Sequence, residues 1–471
     1  MYAKRIRVLI LFGTTMLAGC AATRYHAAPI VPAETASRLE SRSLGDPSLQ
    51  EFLKDNLGHQ PGAWPVKNWN LESLTLAAFY FSPAMDIARA QMKVAQAAVI
   101  TAGARPNPIL SLKPGVPSPY LFGLSFAVPI QTAGKRGYQV LEAKNLGEAA
   151  QFNLASSAWK VRSAVRTALL NYIVAVRSAA QMHSQDGVLT DRVGLLEKRL
   201  AVGEISRPEL DLARIDLANA QLATLSAETQ ISETRTALAA DIGIPVSALD
   251  GVEFSWPNFD SPPSPDLFSS QRIQREAVLN RLDVRQALAT YAASEASLQL
   301  EIAKQYPDIQ IGPGYTYEEG SNFFTLGLSA ILPIFNRNQG PIAEAEARRK
   351  QAAANFLATQ AQVIAQGEAA LAGYEGAWKE LAAAQNALRL HAGRIELEEK
   401  KFKNGESGPL PLNGELLQNV IATGEELNAL YRTQSAIGNL EDAVERPLEP
   451  GEIPPLGPQS PALENHAKEI K

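Results

Sequence analysis

A single cysteine in 471 residues excludes a disulfide framework, and five scattered histidines offer no spacing that suits a zinc cage. Excess charge of one sign is lacking too. Lys and Arg number 44 against 49 Asp and Glu, a net of −5, so the chain has no basic surplus with which to bind a nucleic-acid duplex. Aromatic residues make up only 7%. After residue 20 no apolar run reaches the roughly 18 residues of a membrane-spanning helix. If the chain crosses a membrane, it must do so with strands. What is present is 46% hydrophobic residues with abundant alanine, a composition suited to closely packed helices. Length alone suggests roughly three ordinary domains.

The first twenty residues resemble a bacterial lipoprotein signal. Lys4, Arg5 and Arg7 form a basic start, and Val8 to Leu17 an apolar stretch too short to stay as a membrane helix. Leu17-Ala18-Gly19-Cys20 resembles a lipobox. The resemblance implies cleavage of residues 1–19 and a lipid on Cys20. Ala21, rather than Asp, follows the cysteine and favours outer-membrane sorting.

The remainder is written twice. Ala104 to Gly115 aligns with Ala303 to Gly314 at a shift of 199, with the prolines at 108 and 114 matching those at 307 and 313. Gly123-Leu124-Ser125 with Pro129-Ile130 returns as Gly327-Leu328-Ser329 with Pro333-Ile334, shifted by 204. The segment around Gly203 answers that around Gly405, shifted by 202. The expected organisation is a lipidated N-terminal segment over 20–70, repeat 1 over 71–250, a Pro-rich linker over 251–272, repeat 2 over 273–446, and an irregular tail over 447–471. Residues 21 to about 45 look loose.

Each repeat predicts a helix, two strands, a very long helix, a turn and a returning helix. Strands are expected at about 107–115 and 120–130, then 307–317 and 323–334; the helical hairpins at about 138–243 and 341–445, with tips at 203 and 405. No proline interrupts Gln131 to Arg207 or Ile342 to Gly408, and a helix of about 60 residues would be about 90 Å long. Val161, Val165, Leu169, Tyr172, Val176, Leu189, Val193, Leu196 and Leu200 keep helical spacing. Leu210, Leu217, Ile231 and Leu238, with Thr224 in one place, form a seven-residue comb, and Ala213, Ala220 and Ala227 form a second. A solvent-exposed coiled-coil stalk fits these helices equally well.

In the strands Tyr120, Phe122, Leu124, Phe126 and Val128 alternate with Leu121, Gly123, Ser125 and Ala127. Leu110 and Leu112 flank Ser111; Ile309, Ile311, Tyr315 and Tyr317 flank Gln310, Gly312, Gly314 and Thr316; Leu326, Leu328, Ala330 and Leu332 alternate with Thr325, Gly327, Ser329 and Ile331. Apolar-out, small-or-polar-in alternation over about ten residues suits an outer-membrane strand, and also a half-buried soluble sheet. On the membrane reading, four strands with open edges cannot stand in lipid, so several chains must each contribute four. Three chains give twelve.

Together these residues resemble the TolC-type outer-membrane efflux family over about residues 70 to 446. The marks are the duplicated Ala-x-x-x-Pro strand start, the Gly-Leu-Ser-x-x-x-Pro-Ile strand and Val202-Gly203-Glu204-Ile205-Ser206 at the turn. Arg105-Pro106-Asn107-Pro108, Gly134-Lys135-Arg136 and Phe335 to Gly340 resemble its cobalt–zinc–cadmium branch. The resemblance implies a mainly α chain with a small transmembrane β part, whose trimer closes a twelve-stranded barrel and an α-helical periplasmic tunnel. It implies a passive outer-membrane duct, joined by a periplasmic membrane-fusion adaptor to an inner-membrane pump of the resistance–nodulation–division type that exports heavy-metal cations. A drug or organic-solvent duct of the same family is the alternative. A lipid-anchored periplasmic adaptor is the rival from another class, although adaptors carry one hairpin rather than two.

By the same resemblance Val202, Gly203, Asn404 and Gly405 are the tips that meet the adaptor, where a plain helix-ending turn would also place glycine. Glu415 and Asp211 are candidates for an acidic constriction, or for a solvated helix face. Gly408-Pro409-Leu410-Pro411 looks like an insertion that disturbs the register of the last helix. Gly134-Lys135-Arg136 lacks the spacing of a phosphate-binding loop, and the two cations are expected to decorate the junction of strand and helix. His26, His59, His183, His391 and His466 stand apart, and no nucleophile, carboxylate pair or metal-ligand spacing appears. No catalytic residue, cofactor or resident metal is expected.

Overall fold

The computed structural model describes residues 24–57, 62, 64–115 and 121–448. Cys20 and the signal, His59, Tyr120, His466 and most of the expected tail lie outside the described residues. The chain divides into two units, 1–42 and 43–471. In the first, α1 (Pro32–Glu40) starts with proline in its first turn, and Thr35 Oγ1 bonds Pro32 O at 2.9 Å.

The second unit begins with α2 (Pro47–Leu57), whose Leu49, Phe52 and Leu53 are buried. The stretch expected to be loose, 21 to about 45, thus carries α1, and α2 follows it in sequence with three apolar residues buried on one face. Next come β1 (Asn68–Trp69), α3 (Leu71–Phe81), α4 (Pro83–Gly103), β2 (Ile109–Pro114), β3 (Leu121–Ile130), α5 (Lys135–Ala201) and α6 (Arg207–Ile242). After β4 (Glu253–Phe254) follow α7 (Ser270–Asn280), α8 (Leu282–Ala303), β5 (Ile309–Glu318), β6 (Ser321–Ala330), α9 (Gln339–Lys403) and α10 (Pro409–Val444).

Asn70 caps α3, accepting from Ser73 N at 2.9 Å while Ser73 Oγ receives the Asn70 N–H. Helices α3 and α7 are both 11 residues long and start 199 residues apart, the shift seen in the sequence. Helices α5 and α9 have 67 and 65 residues, so each is about 100 Å long. Helices α6 and α10 both have 36 residues and start 202 apart. The expected insertion at 408–411 is therefore absent. Pro409 and Pro411 sit in the first turn of α10, where an amide N–H has no intrahelical acceptor, and the register continues undisturbed.

The main core gathers Trp69, Phe79, Leu74 and Met85 against Leu154, Val165 and Leu169 of α5. Trp256 and Phe259 join it, so the Pro-rich stretch is packed into the core rather than strung out as a linker. A second cluster brings Ile273 and Val284 to Val363, Tyr374, Ile437 and Leu440. On α5 the buried stripe passes through Ala175 and Ala179, which leaves Val176 exposed where the spacing placed it inside. Of the two combs on α6, Leu210, Ala213, Ala220, Thr224 and Leu238 are buried, while Leu217, Ala227 and Ile231 are half-buried.

Candidate functional site

The four long strands form one antiparallel sheet in the order β2-β3-β5-β6. Reading straight across, Leu112 leads to Leu124, Tyr315 and Phe324, while Ser111 leads to Ser125, Gly314 and Thr325. Successive rows point to opposite faces. One face thus carries Leu110, Leu112, Leu124, Phe126, Ile311 and Leu328, with Phe122, Tyr315, Tyr317 and Phe324 grouped toward the hairpin ends. The other carries Ser111, Gly123, Ser125, Gly314, Thr316, Gly327 and Ser329, with Ile109, Leu121 and Phe323 toward its two ends. An apolar face edged with aromatics opposite a small, polar face is the pattern of a sheet between lipid and water. At about 3.3 Å per residue and a usual tilt, ten-residue strands cover an apolar band of about 25 Å. The first strand, β2, is shorter than the sequence suggested. The last, β6, stops at Ala330 instead of running to about 334, because β5 offers no partner beyond Ile309.

Both outer strands are unpaired on one side. The long helices repeat this arrangement: toward the tips the row runs α6, α5, α10, α9. Its outer members expose Leu212, Ile215, Leu222 and Leu225 on α6, and Leu390 and Leu397 on α9.

Inside the row the seam between α5 and α10 is fastened by polar groups. Glu441 is fully buried and lies 3.1 Å from Arg162 Nη1 and 3.2 Å from Arg166 Nε. Arg166 also donates to Gln434 O at 2.8 Å, and its guanidinium lies over the Trp256 ring. Asp442 accepts from Trp159 Nε1 at 2.8 Å and Ser163 Oγ at 2.7 Å. Farther along, Gln181 Nε2 donates to Val420 O and Asn413 Nδ2 to Val188 O, both at 2.8 Å.

A cavity of about 650 Å³ opens beside this seam, lined by Trp159, Arg281, Asp442 and Glu445 among others. Burial pushes the Glu445 carboxyl above its ordinary range, against the pull of the Leu282 N–H and Arg281. Such a group holds its proton more tightly in the folded state. Its stabilisation is greatest below the unfolded value of about 4.3 and is lost as pH rises through the folded pKa. Glu445→Gln should therefore show a shallower fall in thermal stability than the unmodified chain as pH rises above the ordinary carboxyl range.

The junction of strands and helices is tied across the repeats. Lys135 is buried, and its Nζ donates to Tyr306 O and Asp308 Oδ1, each at 2.6 Å. Arg136 Nε donates to Gly103 O at 2.7 Å. Lys135 is thus a buried latch at the point where only surface decoration was expected.

The two tips are nearly superimposable in their bonding. Gly203 N bonds Leu200 O and Glu204 N bonds Arg199 O; Gly405 N bonds Phe402 O and Glu406 N bonds Lys401 O. Both glycines are left-handed, at φ 78° and 77°, a conformation that closes each long helix. Val202 is exposed beside the first, and Asn404 ends the second helix. Leu196, Leu210 and Ala213 form a small core under the first tip, with Leu410 of α10 against it. Glu415 forms an ion pair with Arg394 and is largely covered, whereas Asp211 is exposed, 3.8 Å from Arg214. The structure does not bring Glu415 and Asp211 into one pair.

His183 lies 3.0 Å from Glu228, His391 is on α9 and His26 is exposed in the first unit. Among the described residues no three His, Cys, Asp or Glu side chains converge as metal ligands, and no helix is long and apolar enough to cross a membrane.

Residues 273–444 match the family described as Outer membrane efflux protein. Over 238 residues the chain is 25% identical to the cobalt-zinc-cadmium resistance protein CzcC of Cupriavidus metallidurans, a stretch covering 50% of this chain and 55% of that protein. The match thus spans about half of the curated relative's length. Among solved structures, the outer membrane protein VceC of Vibrio cholerae superposes with a TM-score of 0.64 at 20% identity, covering 79% of this chain and 95% of VceC. CusC, described in connection with transmembrane channel formation, gives 0.65 at 17% identity and covers 90% and 99%. The outer membrane channel CmeC of Campylobacter jejuni gives 0.64 at 16%, covering 90% and 94%. The second repeat, residues 273–444, thus matches the outer membrane efflux protein family, and the chain shares the fold of these solved structures.

Proposed function

We propose that the chain is the outer-membrane duct of a tripartite efflux system. The observation that carries this reading is the four-stranded sheet, apolar on one face, small and polar on the other, and open at both edges. Three copies close a twelve-stranded barrel with the polar face inward, and their helix rows close a tunnel in the periplasm. Cargo moves through without covalent chemistry, driven by an inner-membrane pump of the resistance–nodulation–division type. Cys20 carries the lipid that anchors the mature chain to the outer membrane. Heavy-metal cations are the cargo class, a reading supported by the similarity to a cobalt-zinc-cadmium resistance protein. Of the two acids near the tip, Glu415 is held by Arg394 and Asp211 is the exposed one.

Membrane fractionation tests the duct: the chain should sediment with the outer membrane even after Cys20→Ala. Recovery of that variant in the soluble periplasm would overturn the reading. A deletion strain should become sensitive to cobalt, zinc or cadmium salts, and sensitivity to organic drugs alone would move the cargo to that class.

The tips at Val202-Gly203 and Asn404-Gly405 are the surfaces that meet the adaptor, by helix-end docking. Gly203→Leu with Gly405→Leu should reduce adaptor cross-linking by about tenfold, because a branched side chain is strained at φ near +78°. Unchanged cross-linking would place the contact elsewhere.

A further inference from the structure

The two repeats share more than sequence. Leu112 faces Leu124 in the first hairpin, and their counterparts, Ile311 and Leu328, face each other in the second. The hairpin register is therefore copied from one repeat to the other. The pairing that joins the repeats is β3 with β5, in which Val128 faces Ile311, Pro129 faces Gln310 and Ile130 faces Ile309. In a ring of copies the corresponding junction is β6 with β2 of the next copy, and one side of each of these strands is open.

We infer that the seam between copies repeats the β3–β5 seam, so that Leu332 faces Leu112 of the next copy and Ile334 faces its Leu110. This rests on the duct reading and specifies its assembly surface. The same rule sets Pro333 against Ser111 of the next copy. Proline is tolerated there, since its counterpart Pro129 already sits within the ladder.

Three observations support the register. The residues it would add to β6, Ile331 to Ile334, lie beyond the ladder in the single chain and are all highly exposed where large and apolar: Ile331 85%, Leu332 68% and Ile334 65%. On the partner strand Leu110 and Leu112 are likewise exposed. The register also keeps faces matched: Leu332 and Ile334 continue the apolar face of Leu326 and Leu328, and meet the apolar face of β2. A slip by one residue would put leucines against serine and lysine and turn apolar side chains inward.

One feature cannot be copied. Gly312 approaches the Phe126 carbonyl too closely to carry a side chain, and its counterpart in β2 is Lys113. The pinch is local. Pairing on both sides of it keeps a single register, so its loss between copies leaves the register unchanged.

The helices follow the same rule with a different chemistry. Asn413 and Val188, bonded across the internal seam, become Asp211 and Leu390 between copies. Gln181 and Val420 become Ala218 and Ala383. The seam between copies therefore loses these side-chain fasteners and closes on apolar residues such as Leu212, Ile215 and Leu390.

The test uses the full chain in outer membranes, with the cysteine pairs Leu112→Cys/Leu332→Cys and Leu110→Cys/Ile334→Cys, and each single variant as control. Directly opposed residues lie within disulfide reach, and residues two places out of register do not. Mild oxidation should link both pairs into dimers and trimers on non-reducing gels. The yield should exceed that of Leu110→Cys/Leu332→Cys by at least about fivefold. A stronger product from the shifted pair, or none from any pair in chains that assemble in the membrane, overturns the register and leaves the duct reading standing. Recovery of the unmodified chain as a soluble periplasmic monomer overturns both.

Discussion

Glu441→Ala should destabilise the chain by about 3–5 kcal/mol, the usual consequence of removing one partner from a buried ion pair. Glu441 has no exposed side-chain surface and is flanked by Arg162 and Arg166, which are 3% and 4% exposed. Two guanidinium groups would then remain in the core with their shared carboxylate gone. Among their other contacts, the Gln434 carbonyl and the faces of Trp159 and Trp256 are neutral and carry no charge to take its place. Leu448 N, which donates to Glu441 Oε1 at 2.9 Å, would lose its acceptor as well. The loss should appear as a large drop in thermal stability and in the amount of folded chain.

The cost of breaking this cluster is not a measure of what it contributes. Desolvating three charges offsets much of their attraction, so replacing all three by apolar residues of similar volume should recover most of the loss. Arg162→Met, Glu441→Leu and Arg166→Met combined should thus be more stable than Glu441→Ala alone. If the triple variant were the less stable, the cluster would be a net source of stability. Its role is then alignment: Arg162 and Arg166 are one turn apart on α5, and their shared carboxylate on α10 permits one sliding position of the two helices.

Sequence alone revealed what repeats or punctuates. The strand-flanking prolines, the Gly-Leu-Ser triplets and the tip glycines each recur at nearly one spacing, so the duplication and the two hairpins were legible. The apolar face of the sheet was legible for the same reason, because alternation is a local property. Pairs brought together by the fold were not. Lys135 meets Asp308 from 173 residues away, and Arg162 meets Glu441 from 279 away. Nothing in the flanking sequence of any of the four residues announces the other. Proline was the main source of error. Pro262, Pro263 and Pro265 suggested an extended linker, yet Trp256 and Phe259 anchor that stretch in the core. Pro409 and Pro411 suggested an insertion, although the first turn of a helix accommodates a residue without an N–H.

Gly312→Ala should abolish assembly in the outer membrane, while Gly327→Ala should leave it near normal. Both glycines lie on the small, polar face of the sheet, in the same row of the β5–β6 ladder. A methyl group is small and uncharged at either position, so the difference must come from contact alone. A Cβ on Gly312 would stand 1.4 Å from Phe126 O and 2.5 Å from Phe126 C, both backbone atoms of β3. On Gly327 the nearest atom would be Gly312 O at 3.6 Å, an ordinary van der Waals distance. Backbone cannot swing aside as a side chain can, so alanine at 312 must push β5 away from β3. Overpacking of a core by a methylene costs about 1–3 kcal/mol when neighbours can adjust; here the neighbour is the strand that joins the two repeats. The ladder already skips this point, holding Ser125 to Gly314 on one side and Val128 to Ile311 on the other. Widening the gap separates the hairpins, and a split sheet exposes two further edges to lipid, where unpaired backbone groups cost several kcal/mol each. Heat-modifiable oligomer in outer-membrane extracts is the measurement, with Gly327→Ala as the matched control. Equal oligomer from both variants would show that the close approach at Gly312 is dispensable for the sheet.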